Sequence, residues 1–231
     1  MEGAPTPISS LAELDARLDQ LQRAADGSGF RQSARIPMSQ LFDLAKDFIG
    51  ASTQEVEVLL DIYGHPPRVV AVSIMDFQAR RKSTPASRRQ ELYELYLRRH
   101  DRINTWDLVD RAAPYVVGGY LWDKSREPLY RLAGSAQWYE RRSSIVSTWF
   151  FIRHDDLDDT FRIAQILVND PHDLVQKAVG GWIREAGKRD EQRLHSYLDR
   201  NAATMPRTTL RYAIEQLPPE VRDHYLDLKA G

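Results

Sequence analysis

Trp106 and Asp110 stand four residues apart in the stretch Arg102-Ile103-Asn104-Thr105-Trp106-Asp107-Leu108-Val109-Asp110. If Asn104 caps a helix that begins at Thr105, the indole and the carboxylate lie one turn apart on the same face. Both groups favour positive charge, the carboxylate directly and the indole through its π face. A carboxylate so placed also orients water, and the pair therefore suits a reaction in which a cation develops. The plainer alternative makes Trp106 a core anchor and Asp110 the partner of Arg111 or another surface base. Asp107 falls in the first helical turn, where its expected work is on the helix dipole and amides.

The elements that must carry this face follow from totals and periodicity. The chain has 231 residues, net charge −1, 42% hydrophobic residues and no cysteine. The last point removes disulfides, thiolate metal sites and cysteine nucleophiles together. No run of about 18 apolar residues occurs and the first ten residues lack a signal-peptide pattern, so the expectation is a cytoplasmic protein with no membrane contact. Near-neutral charge means that a polyanionic partner needs a local basic patch. Residues 80 to 102, with eight Lys or Arg against three Asp or Glu, form the expected one.

Residues 1 to 10 read as a loose tail. Leu11, Leu14, Leu18 and Leu21 predict an amphipathic helix ending at Asp26-Gly27-Ser28-Gly29, and 27 to 37 read as a linker. The expected organisation is 1–30 as tail and helix and 31–231 as the main domain. There, pairs of amphipathic stretches recur about every 35 residues: 38–49 with 53–63, 66–81 with 87–99, 105–121 with 126–133, 138–153 with 157–168, 172–187 with 190–200, and 206–216 with 219–228. Strand alternation is nearly absent. The period predicts an all-α helical-repeat solenoid, an architecture that binds extended partners on a concave face.

Two further stretches carry candidates. In Trp138-Tyr139-Glu140-Arg141-Arg142 the adjacent arginines face different directions on a helix, so at most one enters a groove while the other meets solvent or an acid. In Gln176-Lys177-Ala178-Val179-Gly180-Gly181-Trp182-Ile183-Arg184-Glu185, two helical glycines need a reason, either close helix packing or the approach of a large ligand. Lys188 and Arg189 beyond Gly187 suit a helix C-terminus or a phosphate. The run His154-Asp155-Asp156-Leu157-Asp158-Asp159 lacks the pattern of a calcium loop and reads as helix capping, and the six histidines show no ligand spacing. Neither a metal nor a cofactor is expected.

Together these stretches resemble the DNA alkylation repair enzymes built of HEAT-like repeats, the AlkD-like DNA glycosylases. The likeness rests on W-D-x-V-D at Trp106 to Asp110 followed by Ala113-Pro114-Tyr115, W-x-E-R-R at Trp138 to Arg142, Gln176 to Gly180 with Arg184-Glu185, and Met205-Pro206-Arg207-Thr208-Thr209-Leu210-Arg211-Tyr212-Ala213-Ile214-Glu215. It covers about Arg35 to Tyr225. The resemblance implies a monomer whose partner is duplex DNA containing alkylated bases. The implied reaction is hydrolysis of the N-glycosidic bond of cationic N3- or N7-alkylated purines, without base flipping and with tolerance of bulky adducts. It implies Asp110 as the catalytic carboxylate, Trp106 as the aromatic beside the damaged nucleotide and Arg142 as a DNA-contacting arginine. Trp182, Gly181, Lys177, Arg184, Lys188, Arg207 and Arg211 complete the implied binding surface. The chain departs from the family at Gly181, where a tryptophan is usual; Trp182 comes one place later, about 100° around the helix, and is expected to turn toward the core. A non-catalytic DNA-binding relative and a protein-interaction solenoid are the competing readings.

Overall fold

A computed structural model describes residues 7–27 and 36–228, with side chains described at 11–26 and 36–228. Every regular element among them is helical, and pairs of helices follow one another in chain order as a helical-repeat solenoid. Packing divides the chain into two compact units, Met1–Ile103 and Asn104–Gly231. The boundary expected near residue 30 falls among residues outside those described. So does most of the expected linker.

The first unit holds α1 (Pro7–Gly27), α2 (Met38–Asp47), α3 (Thr53–Asp61), α4 (His65–Arg80) and α5 (Ala86–Arg98). Residues 7 to 10, expected as tail, are the first turn of α1. At the start of α3, Ser52 and Glu55 form a reciprocal capping box, satisfying two amides that would otherwise lack partners. Gly64 takes φ +112° ahead of α4, a backbone state that side chains disfavour, and Pro66 and Pro67 occupy the first turn.

α4 is the centre of this unit and packs against α2, α3 and α5. Its run Val69-Val70-Ala71-Val72-Ser73-Ile74-Met75 is buried on every side. β-Branched residues cost a helix at most about 0.7 kcal/mol each, whereas burial of each such side chain contributes roughly 1.5–3 kcal/mol. Burial wins, and a strand-like composition folds as a helix.

The basic patch expected over residues 80 to 102 is largely neutralised. Arg98 and Arg99 reach Glu57 at 2.8 and 3.2 Å, and Arg99 and Arg102 share Asp61. Arg80 pairs with Asp76 at 2.8 Å, and Arg88 pairs with Glu91 while donating to the Ala51 carbonyl. Arg89 donates to the carbonyls of Ala79 and Arg81. A sequence window counts only its own acids, and Glu57, Asp61 and Asp76 arrive from neighbouring turns and from another helix.

The second unit contains α6 (Trp106–Ala112), a π-helical segment Ala113–Gly118, α7 (Gly119–Leu121), α8 (Glu127–Ala133), α9 (Trp138–Ser147), α10 (Trp149–Ile152), α11 (Asp158–Ile166), α12 (Asp173–Gly187), α13 (Glu191–Asn201), α14 (Arg207–Ile214) and α15 (Pro219–Asp227). The expected helical stretch 105–121 is thus helical without a gap from Trp106 to Leu121, with a π segment in its middle. Pro114 has no N–H for the Asp110 carbonyl four residues back, which loosens the ladder there. Gly118 admits the Ser147 carbonyl where a Cβ would collide with it.

Within this unit α6 packs on α9, α9 on α12 and α12 on α14, giving one layer; α8, α11, α13 and α15 back it. The acidic run 154–159 serves that second layer through ion pairs rather than caps. Arg126 reaches Asp156 at 2.7 Å and Asp159 at 2.5 Å, Tyr130 donates to Asp159, and Arg193 meets Asp158 at 2.7 Å. The N-cap of α11 is Leu157, with no side-chain hydrogen bond. Helix signals and salt-bridge partners use the same residue type, and only the neighbouring helices distinguish them. No cluster of metal-ligating side chains occurs among the described residues, nor is any described helix long and apolar enough to cross a membrane.

The two glycines of α12 have different reasons. A Cβ on Gly180 would meet Tyr212 Cβ at 2.6 Å and the Thr209 carbonyl still closer, so this residue lets α12 and α14 touch backbone to backbone. A Cβ on Gly181 would meet nothing within 4 Å. Gly180→Ala is therefore expected to lower stability by about 1–3 kcal/mol through overpacking, while Gly181→Ala raises it by up to about 1 kcal/mol through helix propensity; urea denaturation of the two variants checks the sign.

His100 adds a pH dependence. It is buried against the edge of Tyr96, and burial pushes its pKa down from 6.5 to about 4. The unfolded chain binds the proton more readily between those values, so stability present above pH 6.5 is lost as pH falls toward 4, by up to about 3 kcal/mol. Replacing His100 by Phe is expected to flatten that part of the pH–stability curve relative to wild type.

Candidate functional site

The backbone around Asp110 differs from the expected capping. Thr105, not Asn104, is the N-cap of α6, and its side chain makes no cap bond; its Oγ1 donates instead to Asp107 Oδ1 at 2.8 Å. Asp107 so serves the first turn, as its position suggested. Leu108, Val109 and Ala112 face the core. That stripe leaves Trp106 and Asp110 on the opposite side, Trp106 with 52% of its surface exposed.

Asp110 is held by the next helix of the layer. Arg142 on α9 donates from Nε to Asp110 Oδ1 at 2.9 Å and from Nη2 to Oδ2 at 2.7 Å, a bidentate pair. Its remaining nitrogen, Nη1, donates to the Leu174 carbonyl at the start of α12. One guanidinium thus ties three successive helices of the layer together. Arg142 is buried, while the Asp110 side chain keeps 28% of its surface open. Each carboxylate oxygen has a second lone pair for a water or a substrate. Burial raises the Asp110 pKa above the ordinary carboxylate value; the Arg142 guanidinium opposes that rise and the Asp107 charge adds to it.

The adjacent arginine takes a separate role. Arg141 grips Asp170 at 2.5 and 3.1 Å and donates to the carbonyls of Ser135 and Ala136. Both arginines of the pair therefore meet acids. Trp138, at the head of the same helix, stacks on His172 at 4.4 Å, fixing the turn that leads into α12.

Trp106, Asp110 and Arg142 line a cleft of ≈ 440 Å³ together with Lys177, Gly181, Trp182, Arg184 and Tyr212. Trp182, expected to turn toward the core, does so in part. Its indole N–H donates to the Val146 carbonyl at 3.2 Å and its ring packs against Trp149 in a T-shaped pair, 6.1 Å between centroids, but it still contributes wall to the cleft. Lys177 is paired with Asp173 at 2.6 Å, and Arg184 with Glu185 and Glu215.

Lys188, Arg207 and Arg211 do not line this cleft. Lys188 is held by Glu185 at 2.8 Å, Arg207 donates to the Leu228 carbonyl, and Arg211 is exposed on α14. Sequence reasoning missed Tyr212. Its signal was the apolar face of α14, since Thr209, Leu210 and Ala213 turn inward and leave Arg211 and Tyr212 outside.

No curated protein sequence matches the chain. The family model described as DNA alkylation repair enzyme matches residues 19–217, a span that takes in α6, α9, α12 and α14 and with them every side chain of the cleft. By that match the chain belongs to the DNA alkylation repair enzyme family.

Proposed function

We propose that the protein is a DNA glycosylase that hydrolyses the N-glycosidic bond of purines made cationic by alkylation at N3 or N7, in duplex DNA. One observation carries the reading: a carboxylate clamped by a buried arginine yet open to a cleft, with an exposed indole one turn away. An alkylated purine already carries positive charge and leaves as a neutral base, so no strong general acid is required. The remaining demand is an anion beside the deoxyribose, where charge develops as in glycoside hydrolysis, and a positioned water.

Asp110 supplies both. Its negative charge lies next to the oxocarbenium-like sugar, and a free lone pair of its carboxylate accepts a proton of the attacking water. The new bond joins that water to the anomeric carbon as the bond to the purine nitrogen breaks and its electron pair departs with the base. Trp106 lays its π face against the electron-poor nucleotide. Arg142 holds the carboxylate in register. Trp106 is half exposed where it lines the cleft, which suits a lesion approached while still stacked. Arg207 and Arg211, on the exposed side of α14, suit phosphate contact.

Base release from duplex DNA containing 7-methylguanine is the direct test. Asp110→Asn is expected to lose at least ~100-fold of the rate; a variant as active as wild type would sink the assignment. The rate of wild type is expected to fall on acidification through a pKa higher than that of an ordinary aspartate. Arg142→Met removes the group that pulls the Asp110 pKa down, so the acidic limb of its pH–rate profile should move to higher pH, whereas an arginine that only bound DNA would weaken affinity and leave the limb in place.

A further inference from the structure

Arg141 and Arg142 are neighbours on α9, about 100° apart around the helix, yet both reach the short segment that leads into α12. Arg141 holds its beginning, with Nε and Nη2 donating to the two carboxylate oxygens of Asp170 at 2.5 and 3.1 Å. Asp170 is buried, so water screens the pair little. Its Oδ1 also accepts the His172 backbone N–H at 2.9 Å, and its backbone carbonyl accepts Gln176 Nε2 at 2.8 Å. His172 is the N-cap of α12, and its Nδ1 accepts the Leu174 N–H at 3.3 Å. The ring lies parallel to the Trp138 indole, with 4° between the planes, which fixes the direction of that nitrogen.

The Leu174 residue is thus held from both sides, its N–H by His172 and its C=O by Arg142. The contacts close a circuit from Arg141 through Asp170, His172 and Leu174 to Arg142, whose other two nitrogens grip Asp110. An ion pair that merely joins two helices has no need to return to the helix it left. This one returns a single residue later, on the guanidinium that holds the carboxylate. A guanidinium is a rigid plane, so a shift of the carbonyl at one nitrogen turns the other two relative to Asp110.

We infer that Asp170 is a positioning residue for Asp110: together with His172 it sets the Leu174 carbonyl, the carbonyl sets the plane of Arg142, and that plane aims the Asp110 carboxylate. The inference rests on the glycosylase reading only for what Asp110 does once aimed. Loss of the charge at Asp170 frees the segment, lets Arg142 swing and weakens its hydrogen bonds to Asp110. Those bonds oppose the rise that burial imposes on the Asp110 pKa, so Asp110 then keeps its proton to higher pH. The other charged groups around Asp110 are Asp107 on its own helix and, lining the cleft from α12, Lys177 beside Asp173 and Arg184 beside Glu185 and Glu215. The variants below leave all of them in place.

Titration of Asp110 is read by NMR of protein labelled at the aspartate carboxyl carbons and assigned with Asp110→Asn. Base release from duplex DNA containing 7-methylguanine is followed against pH in single turnover. Asp170→Asn removes the charge, whereas His172→Phe keeps a ring against Trp138 and the Arg141 pair but removes the acceptor for Leu174. Asp159→Asn breaks the pair with Arg126 elsewhere in the unit and controls for loss of stability alone. The Asp110 midpoint is expected to move to higher pH in Asp170→Asn and in His172→Phe. Their rate on the acidic limb, relative to the plateau, should fall at least ~3-fold, which corresponds to roughly half a pH unit. Asp159→Asn should lower the melting temperature and move neither. An Asp110 midpoint unmoved in Asp170→Asn overturns the inference; should that variant lack helical circular dichroism, His172→Phe decides by the same criterion. The two readings fail separately: a midpoint that moves in a protein releasing no base removes the glycosylase and keeps the positioning role, and base release with an unmoved midpoint does the reverse.

Discussion

The two-pronged contact between Arg142 and Asp110 is the constraint on which the second unit turns. A carboxylate that is to meet a cation must be ionised, aimed and partly dry, and these demands conflict. Burial alone favours the protonated form, while full exposure lets water screen the charge. The guanidinium resolves the conflict by donating two parallel N–H groups from a fixed plane, so the anion is kept and its rotation is stopped. Its third contact, with the Leu174 carbonyl, anchors the arrangement to α12, which lines the cleft. Removing one member of a fully buried pair costs roughly 3–5 kcal/mol, and less here because Asp110 keeps one side toward solvent.

Much of the remaining chemistry is a matter of where cations are not available. The arginines of α4 and α5 are occupied by Glu57, Asp61, Asp76 and backbone carbonyls. Those around the cleft also have acids beside them. The net charge of −1 is consistent with such pairing. Arg207 and Arg211 of α14, by contrast, are exposed, so the number of basic residues in a sequence window is a poor guide to where positive charge is open to solvent.

The neighbouring glycines show how one step along a helix separates structure from site. Gly180 lies where two backbones touch, and Gly181, about 100° further round, lies where nothing touches. Their sequence context is nearly the same. A rule that explains both by packing, or both by ligand approach, is wrong for one of them.

The sequence by itself determined the helical pairs, because apolar spacing and proline placement are local and survive any tertiary context; 138–153 and 172–187 reappear as α9 with α10 and as α12. It also put Trp106 and Asp110 on one helical face, since four residues make about one turn. What it could not decide was any partner brought from another helix. The clamp of Arg142 on Asp110, the neutralisation of the 80–102 arginines by Glu57 and Asp61, the ion pairs that replaced capping at 154–159 and the arrival of Tyr212 at the cleft all join residues some thirty or more positions apart or on different elements. Such pairings depend on how helices stack, and periodicity along one helix carries no information about the charge on the next.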